Sequence, residues 1–188
     1  MTDEMQLLID EMEENMMKSE DSMRNDFTAI RTGKASPALV ENLMIEYYGA
    51  KTRLRDVAAI NTPEARLLTI QPWDQSAVKA IEKAIMESNL GISPVSDGRV
   101  IRLPIPPLSQ ERRLTLGKQV KARAEDARVA VRNIRRDANE AVKKAQKASE
   151  ITEDELKGML DRIQKMTDAY ILKIDQLMAD KEKELMAV

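Results

Sequence analysis

The sequence predicts an α+β fold in which a long antiparallel three-helix bundle carries an inserted small β/α/β domain. In three long stretches apolar residues recur at alternating steps of four and three, which is the pattern of helices packed lengthwise. These stretches are residues 3–31, 109–147 and 152–177. Residues 33–104 instead show short apolar alternations separated by Gly, Pro, Asn and Asp, which is typical of strands and turns. We therefore assign residues 1–32 and 105–188 to the bundle and residues 33–104 to the inserted domain.

The first helix is predicted at residues 3–31, with Thr2 as a candidate N-cap. Acidic residues crowd its first turn, where the helix dipole favours them. We interpret its apolar face as core packing, because methionine fills irregular gaps well. That face comprises Met5, Ile9, Met12, Met16, Ser19, Met23, Phe27 and Ile30.

The inserted domain is predicted to contain strands and one helix. The strands are placed at 43–48, 57–61, 66–71, 92–96 and 99–103, and the helix runs from Asp74 as N-cap to about Asn89. Asp97 and Gly98 form the turn of the last strand pair. The aromatic residues Tyr47, Tyr48 and Trp73 are expected in the core or at the rim of this domain.

Two connectors join the inserted domain to the bundle. The first connector begins where Gly33 interrupts the helical pattern of residues 3–31. Proline fixes φ and has no N–H to donate, so the second connector, residues 103–108, is predicted to be extended and stiff. Two adjacent connectors make a hinge, which we predict at Arg31, Thr32, Gly33, Pro104, Pro106 and Pro107.

The second helix, residues 109–147, carries two helical registers. Ser109 is its predicted N-cap, and its length is about 58 Å. The packing register comprises Val120, Ala124, Ala127, Val131, Ile134, Ala138, Ala141, Ala145 and Ala148. Beside it, Arg128, Arg132, Arg135 and Asn139 also step by four and three, with Arg136 at the edge. These five residues, which we call the arginine strip, are predicted to face outward.

The third helix begins at a predicted capping box formed by Thr152 and Glu155. Its apolar register again steps by four and three, so it can pack against the second helix in the opposite direction. The register comprises Leu156, Leu160, Ile163, Thr167, Tyr170, Ile174 and Leu177.

Charge is distributed unevenly along a chain whose net charge is only −2. Residues 105–147 carry twelve basic and five acidic side chains, whereas residues 1–32 carry three basic and nine acidic ones. Such a local excess is expected where one face meets a polyanion. Aromatic residues do not alternate with the basic ones, which favours contacts with phosphates of structured RNA over base stacking.

Several classes of function are disfavoured by composition. The chain has no cysteine and no histidine, which excludes thiolate chemistry and the usual base at neutral pH. No glycine-rich phosphate loop or calcium-loop spacing occurs. We expect a non-enzyme with neither cofactor nor metal, and a monomer. The acidic N-terminus and the lack of a long apolar run predict a cytoplasmic protein without membrane contact.

Five motifs in chain order resemble the bacterial ribosome recycling factor family. They are residues 31–37 (RTGKASP), 46–49 (EYYG), 106–108 (PPL) with 111–113 (ERR), 128–139 (RVAVRNIRRDAN) and 180–186 (DKEKELM). The resemblance covers the whole chain. One departure is Lys34, where the family commonly has arginine, and a lysine there would weaken a bidentate contact.

The resemblance implies an L-shaped molecule that binds post-termination ribosomes between the subunits. With elongation factor G and GTP hydrolysis it separates the subunits and releases mRNA and tRNA. It further implies that Arg113, Arg132 and Arg135 contact large-subunit ribosomal RNA. The helical register alone adds Arg128 and Arg136 to this set. The alternative is a non-catalytic helical RNA-binding adaptor or nucleic-acid chaperone, and a salt titration of ribosome binding helps to separate the two.

Overall fold

The computed structural model of the protein describes residues 3–187, and the N-cap predicted at Thr2 lies outside this range. The chain forms two compact units. One comprises the chain up to Ile30 together with the chain from Gln110 onward, and the other is Arg31–Ser109. Within residues 3–187, none of the helices has the length and apolar character required to cross a bilayer.

The first unit is a bundle of three long helices, α1 (Asp3–Ala29), α3 (Gln110–Lys147) and α4 (Glu153–Met186), each of which packs against the other two. Arg128 of α3 forms an ion pair with Asp175 of α4. Lys121, which lies seven residues before Arg128 in α3, forms an ion pair with Glu182, which lies seven residues after Asp175 in α4. These contacts show that α3 and α4 run antiparallel, which confirms the predicted bundle.

The buried faces follow the predicted registers with local differences. In α1, Glu20 is buried in place of the neighbouring Ser19, and its carboxylate pairs with Arg24 at 2.6 Å, which compensates part of the desolvation. In α3, Val142 is buried and Ala141 is only half-buried. A straight helix has 3.6 residues per turn and drifts away from a strict seven-residue repeat, so the seam moves by one position along α3.

The start of α4 confirms the predicted capping box. The backbone N–H of Glu155 donates to Oγ1 of Thr152 at 3.2 Å, and the backbone N–H of Thr152 donates to the Glu155 carboxylate at 3.0 Å. Two backbone donors at the helix start are thereby satisfied. The preceding residue, Ile151, is buried.

The second unit contains six strands and the helix α2 (Val78–Glu87). The strands are β1 (Met44–Tyr47), β2 (Ala50–Arg53), β3 (Ala58–Glu64), β4 (Leu67–Pro72), β5 (Val95–Ser96) and β6 (Ile101–Pro104). The first two form a hairpin, and the other four form a sheet in the order β3-β4-β6-β5, with all pairings antiparallel. Ile81 and Ile85 of α2 lie in the core of this unit with apolar residues of both sheets.

Two features of this unit differ from the prediction. The strand β2 was not predicted, and it forms because Tyr48 and Gly49 both take positive φ, 49° and 75°, in a two-residue hairpin turn. Asp74 acts as a cap, but the element it caps is a single 3₁₀ turn that leads into α2.

The three aromatic residues of this unit divide between its core and its surface. Tyr48 is 81% exposed and Trp73 is 69% exposed, whereas Tyr47 packs against the core. The hydroxyl groups of Tyr47 and Tyr48 both donate to Asp74 Oδ2 at 3.0 Å. Tyr48 is therefore positioned by its hydroxyl and not by burial of its ring.

Candidate nucleic-acid interface

The arginine strip lies on the flank of α3 that adjoins α4. The apolar seam of α3, centred on Val131, is buried in the bundle. Four residues of the strip follow this seam at steps of one or four and so lie within about a third of a helical turn of it; these are Arg128, Arg132, Arg135 and Asn139. Arg136 lies farther out, at the edge of the strip. The strip therefore begins at the edge of the bundle core and extends toward solvent.

Arg128 is not an outward residue, and in this respect the prediction was wrong. Its side chain is only 16% exposed, and its Nε donates to Asp175 Oδ1 at 2.7 Å. Nη1 donates to Glu125 Oε2 at 2.9 Å, and Nη2 lies 3.4 Å from the sulfur of Met178. Arg128 thus joins α3 to α4 and orients Glu125. The contact with Asp175 could not be predicted from local spacing, because the two residues are 47 positions apart in the sequence.

Arg132 is the first residue of the strip that reaches solvent. Its side chain is 39% exposed, and Nη1 donates to Glu125 Oε1 at 3.3 Å. Glu125 therefore contacts two arginines with its two oxygens. The hydrogen bond from Arg128 holds the pKa of the Glu125 carboxyl below its usual value, so this group is ionised at neutral pH.

Sequence reasoning missed Glu125 as part of this surface. It lies three residues before Arg128 and seven before Arg132, and both spacings place side chains on one helix face. No acid lies four residues from Arg128 or Arg132, whereas spacings of three and seven identify Glu125.

Arg135 and Arg136 have no hydrogen bond or ion pair to any of residues 3–187. Arg135 is half-buried and Arg136 is exposed. Asn139, at the end of the strip, is half-buried, and its Oδ1 is enclosed without a hydrogen-bond partner. The two arginines therefore supply guanidinium donors that can bind an external anion such as a phosphate.

Arg113 does not join the strip. It lies in the first turn of α3, about 28 Å along the helix from Arg132. Its side chain is half-buried, and its Nε is enclosed without a hydrogen-bond partner. Arg123 also lies outside the strip, because it pairs with Asp26 and Ser22 of α1. The structure thus brings together Arg128, Arg132, Arg135 and Arg136 and leaves Arg113 apart.

The predicted hinge residues include several that are fixed within the second unit. The N–H of Ala35 donates to the carbonyl of Ala65 at 2.8 Å, and the N–H of Ile105 donates to the carbonyl of Arg66 at 2.8 Å. Both connectors are thereby bound to the same turn between β3 and β4. Pro104 is the last residue of β6.

The backbone conformation at position 33 favours glycine. Its φ is +81°, in the region that favours glycine, and a Cβ placed there would contact Leu108 at 3.5 Å. Thr32 is buried, and Arg31 donates from Nη1 to the carbonyl of Leu90 at 2.8 Å. Arg31, Thr32 and Gly33 are therefore held by contacts within the second unit.

No cluster of three or more acidic side chains suited to a metal ion exists within residues 3–187. The acids of the bundle are distributed over helix starts and inter-helix ion pairs. The groups that converge on the strip are guanidinium donors and the carboxylates of Glu125 and Asp175. This arrangement can bind and orient an anion.

Comparison with known proteins gives a consistent result. The family model for ribosome recycling factor matches residues 23–186. The chain is 52% identical over 183 residues to a ribosome-recycling factor of Geobacillus sp. (strain WCH70), covering 97% of this chain and 99% of that protein. It is 54% identical over 178 residues to the ribosome-recycling factor of Heliobacterium modesticaldum, covering 95% and 96%.

Two solved structures are similar over nearly their whole length. One is a solution structure of the ribosome recycling factor, with a TM-score of 0.80, 44% identity and full coverage of both chains. The other belongs to models of the T. thermophilus ribosome recycling factor and the E. coli elongation factor G bound to the E. coli post-termination complex. Its TM-score is 0.66 at 44% identity, covering 97% of this chain and 99% of that one.

Proposed function

Because this chain belongs to the ribosome recycling factor family, we propose that it binds post-termination ribosomes between the subunits and acts there with elongation factor G. GTP hydrolysis by that factor promotes subunit separation and the release of mRNA and tRNA. The observation that carries this proposal is the full-length similarity to recycling factors, which extends through both units. The protein acts as a monomer in the cytoplasm and has no catalytic site of its own.

The arginine strip is proposed as the surface that contacts large-subunit ribosomal RNA. Arg132, Arg135 and Arg136 present guanidinium groups to solvent, and these groups suit phosphate oxygens. Arg128 supports the surface from within, through Asp175 and Glu125. Arg113 is proposed as a separate contact near the start of α3. Phosphate contacts position the protein on folded RNA without reading its sequence.

Binding to large ribosomal subunits tests the strip. The double variant Arg132→Ala/Arg135→Ala is expected to bind at least about tenfold more weakly, because it loses two charge-assisted contacts. The control replaces Lys165 and Lys183, two exposed lysines of α4, by alanine and removes the same charge. Equal affinities of both double variants, each with native helicity, would exclude the strip as the contact surface.

The two connectors are proposed to act as a hinge during subunit separation. Residues 31–34 and 106–109 lie between the bonds that bind each connector to the β3–β4 turn and the ends of α1 and α3. Because the chain has no cysteine, one cysteine introduced in each unit can be crosslinked selectively. The crosslinked protein is expected to bind RNA and to fail in subunit splitting. Splitting at the normal rate by the crosslinked protein would contradict the hinge.

A non-catalytic RNA adaptor or nucleic-acid chaperone is the competing function. Such a protein binds unrelated structured RNA as tightly as large subunits, and its affinity falls with salt in the same way for both. A recycling factor is expected to prefer large subunits at every salt concentration. The titration therefore separates specific docking from general attraction to RNA.

A further inference from the structure

Glu125 is the one acidic side chain of α3 that contacts the arginine strip within residues 3–187. Its Oε2 accepts from Arg128 at 2.9 Å and its Oε1 accepts from Arg132 at 3.3 Å. A carboxylate between two guanidinium groups occupies a place that a phosphate group could take, because both anions accept paired N–H donors. Two arginines of the strip are thus already bound to a carboxylate of the same helix.

Arg128 fixes the position of this carboxylate. Its guanidinium is largely covered and is bound to Asp175 at 2.7 Å, so it cannot turn toward solvent without breaking the contact between α3 and α4. The bond from Arg128 to Glu125 is also shorter than the bond from Arg132, 2.9 Å against 3.3 Å. Glu125 is therefore held from the inner side, and Arg132 is the partner that can be released.

We propose that Glu125 is an internal competitor for RNA phosphate, so that a phosphate gains the Nη1 donors of Arg132 only by displacing this carboxylate. The inference rests on the proposed function of the strip. Arg135 and Arg136, which have no partner within residues 3–187, bind phosphate without such competition. RNA that places phosphates only at these two residues gains less than RNA that also reaches Arg132. Glu125 thereby lowers the affinity of any RNA that reaches Arg132 and keeps that binding reversible.

The substitution Glu125→Gln tests this role directly. Glutamine keeps the size of the side chain and can still accept from Arg128, but it has no charge to compete with phosphate. Binding to large subunits is expected to become about three- to tenfold tighter at ~0.1 M salt. The dependence of affinity on salt is expected to steepen, because Arg132 then releases a counterion on binding.

The neighbouring substitution Asp126→Asn is the matched control. It removes the same charge from the same helix, and Asp126 is exposed and has no ion pair within residues 3–187. Its effect on affinity is expected to stay below about twofold. In the background of Arg132→Ala, the gain from Glu125→Gln is expected to vanish, because the competition is for Arg132.

The free full-length protein provides a second readout that involves no RNA. NMR relaxation of the Arg132 side chain is expected to show greater mobility in Glu125→Gln than in the wild type or in Asp126→Asn. If Arg132→Ala weakens binding but Glu125→Gln and Asp126→Asn bind alike, competition by Glu125 is refuted, while the arginine strip remains supported as the RNA contact. If Arg132→Ala leaves binding unchanged, the proposed RNA contact fails and the inference fails with it.

Discussion

Replacement of Arg128 by alanine is expected to destabilise the bundle by about 2–3.5 kcal/mol, even though arginine is usually a surface residue. Its side chain is 16% exposed, so the two methylene groups that alanine lacks are mostly covered, and their loss contributes roughly 1.5 kcal/mol. The two ion pairs add about 0.2–1 kcal/mol each, because Asp175 and Glu125 remain about half exposed. Arg128→Met keeps the apolar stem and should lose only about 1 kcal/mol.

Urea unfolding followed by far-UV circular dichroism measures these differences, because the three long helices dominate the signal. The control is Arg136→Ala on the exposed edge of the strip, which should change the free energy of unfolding by less than about 0.5 kcal/mol. Equal destabilisation by Arg128→Ala and Arg136→Ala would refute the assignment of Arg128 to the contact between α3 and α4.

Three further predictions concern single sites. Hydrogen bonds from the backbone and side chain of Ser76 and from the two tyrosines lower the pKa of Asp74 from 3.8 to about 2. Its contribution to stability is therefore complete above about pH 4 and is lost as pH falls toward 2, so Asp74→Asn should flatten acid unfolding of the small unit measured by Trp73 fluorescence. Thr152→Ala should destabilise the bundle by about 1 kcal/mol in urea unfolding, because the capping box is lost, and an unchanged midpoint would contradict that role. Gly33→Ala should destabilise the small unit by about 1 kcal/mol in the same assay, since φ is positive there while Leu108 leaves room for the methyl group, and a neutral result would show that the connector relaxes.

Local sequence signals predicted most of the fold. The capping box at Thr152 needs only residues within one turn, and the structure contains both of its hydrogen bonds. The helical seams follow from periodicity alone, and the drift of one residue near Val142 reflects the difference between 3.6 and 3.5 residues per turn. Strand β2 was missed because its four residues show no apolar alternation and are mostly exposed. Its register depends on a tyrosine at positive φ, which few sequences use.

The candidate site was predictable in position but not in detail. The spacing of the strip placed Arg132 and Arg136 on an accessible face, as found. The same spacing could not reveal that α4 brings Asp175 to Arg128, because a contact between helices depends on the rotation of the second helix. The sequence also could not show which aromatic residues are exposed, and the structure exposes Tyr48 and Trp73 while Tyr47 packs against the core.

Light scattering of post-termination ribosomes mixed with this protein, elongation factor G and GTP measures subunit separation itself. Separation of the subunits lowers the scattered intensity. We expect a rapid decrease that requires the protein, the factor and GTP together, and that is strongly slowed by Arg132→Ala/Arg135→Ala. A decrease of the same rate without the protein, or with the folded double variant, would contradict it.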